Sequence, residues 1–167
     1  EMFMGLVGSE MCIRDSEGVP AFYFNSLFGT TNDISKFIIT DNKRDLNRYK
    51  WNNERLTKNL KINNSKQSVF YNEMTNLIKI RRKQKAFHPN AQRKNLNFGS
   101  KFYALERISL DKSQKILAIT NLTSKTQVLK IDSKYLKSKN LLVQKFKITF
   151  DKELVFNPFQ TFWLSIN

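Results

Sequence analysis

The sequence predicts an α+β chain in which one strand, one polar loop and one amphipathic helix (residues 17–90) precede an antiparallel β-sandwich (residues 91–167). Three observations carry this reading. Ala21-Phe22-Tyr23-Phe24 is a short apolar run without alternation, as in strands buried on both faces. Apolar residues then recur at helical spacing from Phe70 to Ile78. Beyond residue 95 the pattern changes to short runs rich in Ile, Leu, Phe and Thr, separated by turn residues.

Each element has its own signal. Pro20 suits the first residue of a strand over 19–24, where its missing N–H costs least. Gly29-Thr30-Thr31-Asn32-Asp33 is turn chemistry. Residues 40–66 are rich in Asn and Lys, too polar for core and too long for a plain connector; such loops are usually functional or disordered. A helix follows over about 67–85, with Ser65 as its N-cap and Phe70, Met74, Leu77 and Ile78 on its apolar face. The basic run Arg81–Lys85 suits the negative end of its dipole. His88-Pro89-Asn90 stops it, and His88 reads as a helix-terminal residue. Strands are expected at Phe102–Ile108, Lys115–Asn121, Thr126–Ile131, Leu141–Thr149 and Phe159–Ile166, with Trp163 in the sandwich core.

Composition sets limits. The 167 residues include 29 Lys and Arg against 14 Asp and Glu, a net charge of +15, with 40% apolar and 13% aromatic residues, enough for a folded core. No apolar run reaches the roughly 18–20 residues of a membrane span. The single Cys, Cys12, excludes an internal disulfide framework. Residues 6–16, Leu-Val-Gly-Ser-Glu-Met-Cys-Ile-Arg-Asp-Ser, match at every position the translation of a common transposase sequencing adapter. Residues 1–16 are therefore set aside as adapter read-through, expected to make few contacts. What remains carries 28 basic and 11 acidic residues, a net +17 over 151 residues.

The order of elements, and three motifs within it, resemble the end of an enzyme of the alpha-amylase superfamily (glycoside hydrolase family 13). Gly18-Val19-Pro20-Ala21-Phe22-Tyr23-Phe24 looks like that family's last barrel strand. Ser26-Leu27-Phe28-Gly29-Thr30-Thr31-Asn32-Asp33, then Asn42-Lys43-Arg44-Asp45-Leu46-Asn47-Arg48, then Phe87-His88-Pro89-Asn90-Ala91 resemble the sucrose phosphorylase subfamily. The last of these looks more like the branch acting on sucrose 6'-phosphate, glucosylglycerol or glucosylglycerate. Pro158-Phe159-Gln160-Thr161-Phe162-Trp163-Leu164 adds a weaker likeness near the end. Lys43 and Tyr49 depart from the usual pattern, where Gly or Asn and His are common.

The resemblance implies the last βα unit of a (β/α)8 TIM barrel followed by an antiparallel C-terminal domain. It implies a retaining α-glucoside phosphorylase. An Asp attacks the anomeric carbon, a Glu protonates the leaving oxygen, and phosphate resolves the glucosyl-enzyme to α-glucose 1-phosphate. In the family those carboxylates lie on earlier barrel strands, so no catalytic residue is expected here and the chain alone should be inactive. The resemblance carries one sugar-binding role onto Arg48, whose guanidinium fork would serve the 3- and 4-hydroxyls of the glucosyl unit. Arg44, Asp45 and Asn47 are expected to order that loop. Asn32 and Asp33 are candidates for the acceptor rim, although an Asx-type turn accounts for them equally well. Trp51 is weighed between an acceptor subsite and loop packing.

No metal or organic cofactor is implied; inorganic phosphate is the co-substrate and an α-glucoside the partner. A cytoplasmic location, no nucleic acid, no membrane, and an open question of a homodimer at full length complete the expectations. Three other readings stand beside this one: an α-glucoside hydrolase or transglucosidase of the same superfamily, a basic nucleic-acid-binding module, and a carbohydrate-binding β-module. Lys is spread almost evenly from 36 to 152, with the best basic cluster at 79–85; this argues against a nucleic-acid interface.

Overall fold

The computed structural model describes residues 15–136, 138–142, 147–148 and 153–166. These residues divide into two compact units: Ala21–Lys79, and the residues up to Pro20 together with those from Ile80 on.

The first unit is helical. Its elements are α1 (Phe24–Leu27), α2 (Ile34–Thr40), a 3-10 turn (Lys43–Asn47), α3 (Asn53–Lys61) and α4 (Lys66–Arg82) as far as Lys79. Side-chain caps start most of them. Asp33 accepts from the Lys36 N–H at the head of α2, Asn52 from the Arg55 N–H at α3, and Ser65 Oγ from the Ser68 N–H at α4. The core is small: Phe28, Leu56, Phe70 and Met74 are buried. Phe28 stacks on Tyr71 at 5.6 Å and receives Phe24 edge-on at 4.9 Å. Gly29 sits at φ +57, and a Cβ there would lie 2.6 Å from the Phe70 ring, so the close passage of backbone over ring requires glycine.

Two expectations fail in this unit. Residues 19–24 form no strand: the segment runs without regular structure into α1, and Val19 is 81% exposed. A strand needs neighbours to receive its backbone hydrogen bonds, and among the described residues none lies alongside this one. The polar stretch 40–66 is not wholly loop either, because α3 occupies Asn53–Lys61. Its charges follow the helix dipole, with Glu54 in the first turn and Lys58 and Lys61 in the last.

The second unit is an antiparallel two-layer structure. Its strands are β1 (Gln92–Leu96), β2 (Phe102–Ile108), β3 (Lys115–Asn121), β4 (Gln127–Lys130), β5 (Lys139–Asn140), β6 (Lys147–Ile148), β7 (Glu153–Phe156) and β8 (Thr161–Ile166). A short helix α5 (Ser133–Leu136) follows β4. One sheet runs β1-β2-β3-β8-β5 and the other β4-β7-β6, every pair antiparallel. Ala104, Leu117, Ile119, Phe162 and Leu164 of the larger sheet share one core with Leu154 and Phe156 of the smaller. Alternation along the strands produces this face: Leu117 stands opposite Leu164 and Ile119 opposite Phe162. Tyr135 closes the core and donates its hydroxyl to the buried Glu106, which Lys115 approaches at 3.6 Å.

Trp163 is fully buried, but not in that core. Its neighbours on the opposite face are the partner Ala118 and Phe87, whose ring centroid is 4.7 Å away. The period of two sends Phe162 and Leu164 to one face and Trp163 to the other. The larger sheet is thus covered on both faces, because Ala86, Phe87 and Ala91 are buried as well. For the same reason the segment from Ile80 groups with the sheets, whereas the sequence reading placed the division after residue 90.

Arg107, on β2, is buried to 0% exposure and donates to the carbonyls of Asp15 (3.2 Å) and His88 (2.7 Å). Asp15 is buried as well, and the Ser16 hydroxyl lies 3.5 Å from that of Tyr103. The expectation of few contacts for residues 1–16 therefore does not hold at Asp15 and Ser16. Residues 1–14 lie outside the described residues, and so do 143–146 and 149 of the strand expected over Leu141–Thr149.

Candidate functional site

The loops of the helical unit carry all six residues that sequence reading singled out. Asn25, buried at 6% exposure, organises them. Its side-chain amide donates to the carbonyls of Asn47 (3.3 Å) and Tyr49 (3.0 Å), the two residues flanking Arg48. One buried side chain thereby fixes the backbone on either side of an exposed arginine. The Asp33 N–H donates to Leu46 O at 2.7 Å, tying the turn before α2 to the 3-10 turn.

Asp45 belongs to this scaffold. It accepts from Lys36 Nζ at 2.8 Å and from Thr40 Oγ1 at 2.9 Å. The hydrogen bond from Lys36, then that from Thr40, hold its carboxyl below the usual carboxylate range. Arg44 and Asn47 are exposed; the Arg44 N–H donates to Asn42 Oδ1 and Asn47 contributes its carbonyl to Asn25. Asp45 is thus engaged through its carboxylate, and Asn47 through its backbone carbonyl. Arg48 ends the 3-10 turn with its side chain exposed.

Beside this scaffold lies a cleft of about 430 Å³. Asn32 and Asp33 line it, with Tyr49, Trp51, Arg55 and Lys66. The indole N–H of Trp51 donates to Thr30 Oγ1 at 2.9 Å, and the Tyr49 ring meets the indole edge-on at 5.0 Å. Trp51 is thus tied into its loop through its N–H and is also among the residues that line the cleft. Asp33, the acidic residue on the lining, already caps α2. Arg44, Asp45, Asn47 and Arg48 do not line this cleft.

Sequence reasoning missed Asn25, Arg55 and Lys66. Asn25 carried a faint signal, a polar residue directly after an apolar run. Arg55 and Lys66 carried none, since Lys and Arg fill the stretch around them. His88 is exposed at the end of the 3-10 turn Lys85–Phe87, where its Nδ1 accepts from the Asn90 N–H at 3.1 Å, a structural role. The basic cluster at 79–85 is partly engaged within the second unit: Arg81 lies 5.5 Å over the Phe87 ring and Lys85 pairs with Asp111 at 2.7 Å. Among the described residues no group of three His, Cys, Asp or Glu could hold a metal ion, and no helix is long and apolar enough to cross a membrane.

No protein-family model matches the chain. Among curated proteins it is similar to the glucosylglycerate phosphorylase of Escherichia coli, 33% identical over 73 residues, which is 44% of this chain and 13% of that protein. It is also similar to the glucosylglycerate phosphorylase of Spirochaeta thermophila, 28% identical over 117 residues, 70% of this chain and 20% of that protein. The chain thus spans a fifth or less of the length of these relatives. Among solved structures it is similar to AmyP bound to maltotriose (TM-score 0.66, 15% identity, 99% of this chain and 35% of that one). It is similar also to the trehalulose synthase of Pseudomonas mesoacidophila (TM-score 0.67, 13% identity, 98% and 38%). The trehalose-6-phosphate hydrolase of Bacillus licheniformis gives TM-score 0.65 at 17% identity, covering 97% and 38%.

At these identities the structural likenesses establish the fold alone. The resemblance drawn from the motifs stands: in sequence the chain resembles sugar phosphorylases, and in fold it resembles family 13 enzymes.

Proposed function

We propose that this chain is the C-terminal part of a retaining α-glucoside phosphorylase that moves glucose from a glucoside of the glucosylglycerate kind to inorganic phosphate. One observation carries the reading: three curated relatives from three organisms bear the same activity in their names. In such a reaction an enzyme carboxylate displaces the acceptor from the anomeric carbon while an acid protonates the departing oxygen. A phosphate oxygen then displaces the carboxylate, so two inversions give α-glucose 1-phosphate. Both carboxylates would come from outside this chain, and the chain alone would turn over nothing.

The part of the present residues is recognition. Arg48 would offer its donor fork to the glucosyl hydroxyls, with Asn25, Asn47 and Asp45 holding its loop. Arg44 would border the same loop, and Asn32 and Asp33 the acceptor. No cofactor or metal is required, the site of work is the cytoplasm, and nucleic acid plays no part. The test is to join residues 17–167 to the upstream portion of a curated relative and assay glucosylglycerate. Phosphate-dependent release of glucose 1-phosphate supports the reading. Phosphate-independent release of glucose would favour a hydrolase of the same fold instead.

A further inference from the structure

We propose that the cleft beside Trp51 takes a small hydroxylated carboxylic acid, with Arg55 and Lys66 holding its carboxylate and the Trp51 ring carrying its carbon skeleton. The identity of this ligand rests on the phosphorylase reading; the site itself rests on the cleft.

Charge carries the argument first. Arg55 comes from α3 and Lys66 from the start of α4, so two separate helices bring cations to one lining. Among the described residues neither enters an ion pair. Asp33, the acid of the lining, has a carboxylate oxygen committed to the Lys36 N–H. The lining therefore has an excess of positive charge, and an anion is the ligand that lowers its electrostatic energy. A neutral polyol would need only the amide and hydroxyl groups that the cleft already has.

Shape agrees with charge. About 430 Å³ is ample for a three-carbon acid with its hydration. The Trp51 indole is pinned through its N–H to Thr30 and held against Tyr49, so the aromatic surface is set before a ligand arrives. A fixed aromatic beside fixed donors suits a ligand with C–H faces, hydroxyls and one charged end.

The test uses the full chain with 15N-labelled indoles. Trp51 and Trp163 each give one indole signal, and Trp163, buried in the sheet unit, serves as an internal reference. Added glycerate should shift the Trp51 signal and leave that of Trp163 in place. Arg55→Ala and Lys66→Ala, both at exposed positions, should each weaken glycerate binding about tenfold without loss of fold. Glycerol should bind at least tenfold more weakly than glycerate.

Three results would overturn the assignment. They are equal shifts by glycerol, equal shifts by inorganic phosphate (a general anion site), and unchanged affinity in both variants. The two readings fail separately. If a completed enzyme releases glucose 1-phosphate from glucosylglycerate and Arg55→Ala and Lys66→Ala leave KM unchanged, the subsite falls and the phosphorylase stands. If glycerate binds as described but the completed enzyme needs no phosphate, the reverse holds.

Discussion

Replacing Asn25 with Asp tests whether one buried amide sets the backbone around Arg48. The substitution keeps size and shape but removes both N–H donors. It leaves a carboxyl oxygen facing the carbonyls of Asn47 and Tyr49, which the amide nitrogen now meets at 3.3 and 3.0 Å. Each lost hydrogen bond costs about 0.5–1.5 kcal/mol, so the pair accounts for roughly 1–3 kcal/mol. Burial and the opposed carbonyl dipoles also disfavour the ionised acid, which raises the pKa of the introduced carboxyl in the folded state. A group whose folded pKa is raised destabilises most above that pKa, so the deficit should be largest at neutral pH. It should shrink as pH falls towards about 4, where the protonated acid regains one donor. Urea titration read at the Trp51 indole signal would show it, with faster amide exchange at Asp33 and Asp45, whose N–H groups donate to Leu46 O and Asn42 O. An Asn25→Asp protein with parental stability at pH 7 and unchanged exchange at these residues would refute the reasoning.

Three further outcomes follow from the same unit. Gly29→Ala should lower stability by roughly 2–4 kcal/mol in chemical denaturation, combining left-handed backbone strain with overpacking against Phe70. In a completed enzyme, Arg48→Ala should cost about 1.5–3 kcal/mol of binding, roughly ten- to hundred-fold in kcat/KM, with every acceptor, and Lys should restore little; a loss confined to one acceptor would move Arg48 out of the glucosyl subsite. The lowered pKa of Asp45 means that its ties to Lys36 and Thr40 stabilise the α2 turn fully above about pH 4. That contribution should fade as pH falls through its folded pKa, seen as faster amide exchange over residues 36–45, and Asp45→Asn should abolish this pH dependence.

What the sequence made legible followed burial. Phe102–Ile108 and Lys115–Asn121 match β2 and β3 residue for residue, because both are central strands with a run of buried residues. The helix over 67–85 was visible through Phe70 and Met74, which are buried. Elements that bury little left little trace. α3 buries Leu56 alone, and β1 holds one apolar residue, Leu96. α2 shows apolar residues at helical spacing, yet Ile34, Ile38 and Ile39 are exposed, so the spacing marks no core. The segment 19–24 misled for the opposite reason: an apolar run resembles a buried strand whether or not partner strands exist to pair with it. Within the helical unit, the turn chemistry of Asn32 and Asp33 was legible, and both line the cleft. Arg55 and Lys66 were not, because their meeting on one lining, from two separate helices, is a tertiary property.

The two margins of the five-stranded sheet have a consequence for how this polypeptide behaves in a crowded solution. Among the described residues β1 pairs with a strand on one side only and carries Lys94 at its middle, beside Arg93, which lies 3.6 Å from Glu17; β5 is only two residues long. An incoming chain seeking to extend the sheet meets repulsion at one margin and almost no ladder at the other. The interior strands, rich in Ile, Leu and Phe, are the segments that would stack into fibrils if laid bare. Flanked in this way, they stay paired with one another, and the sheet ends in its own sequence instead of recruiting a neighbour's.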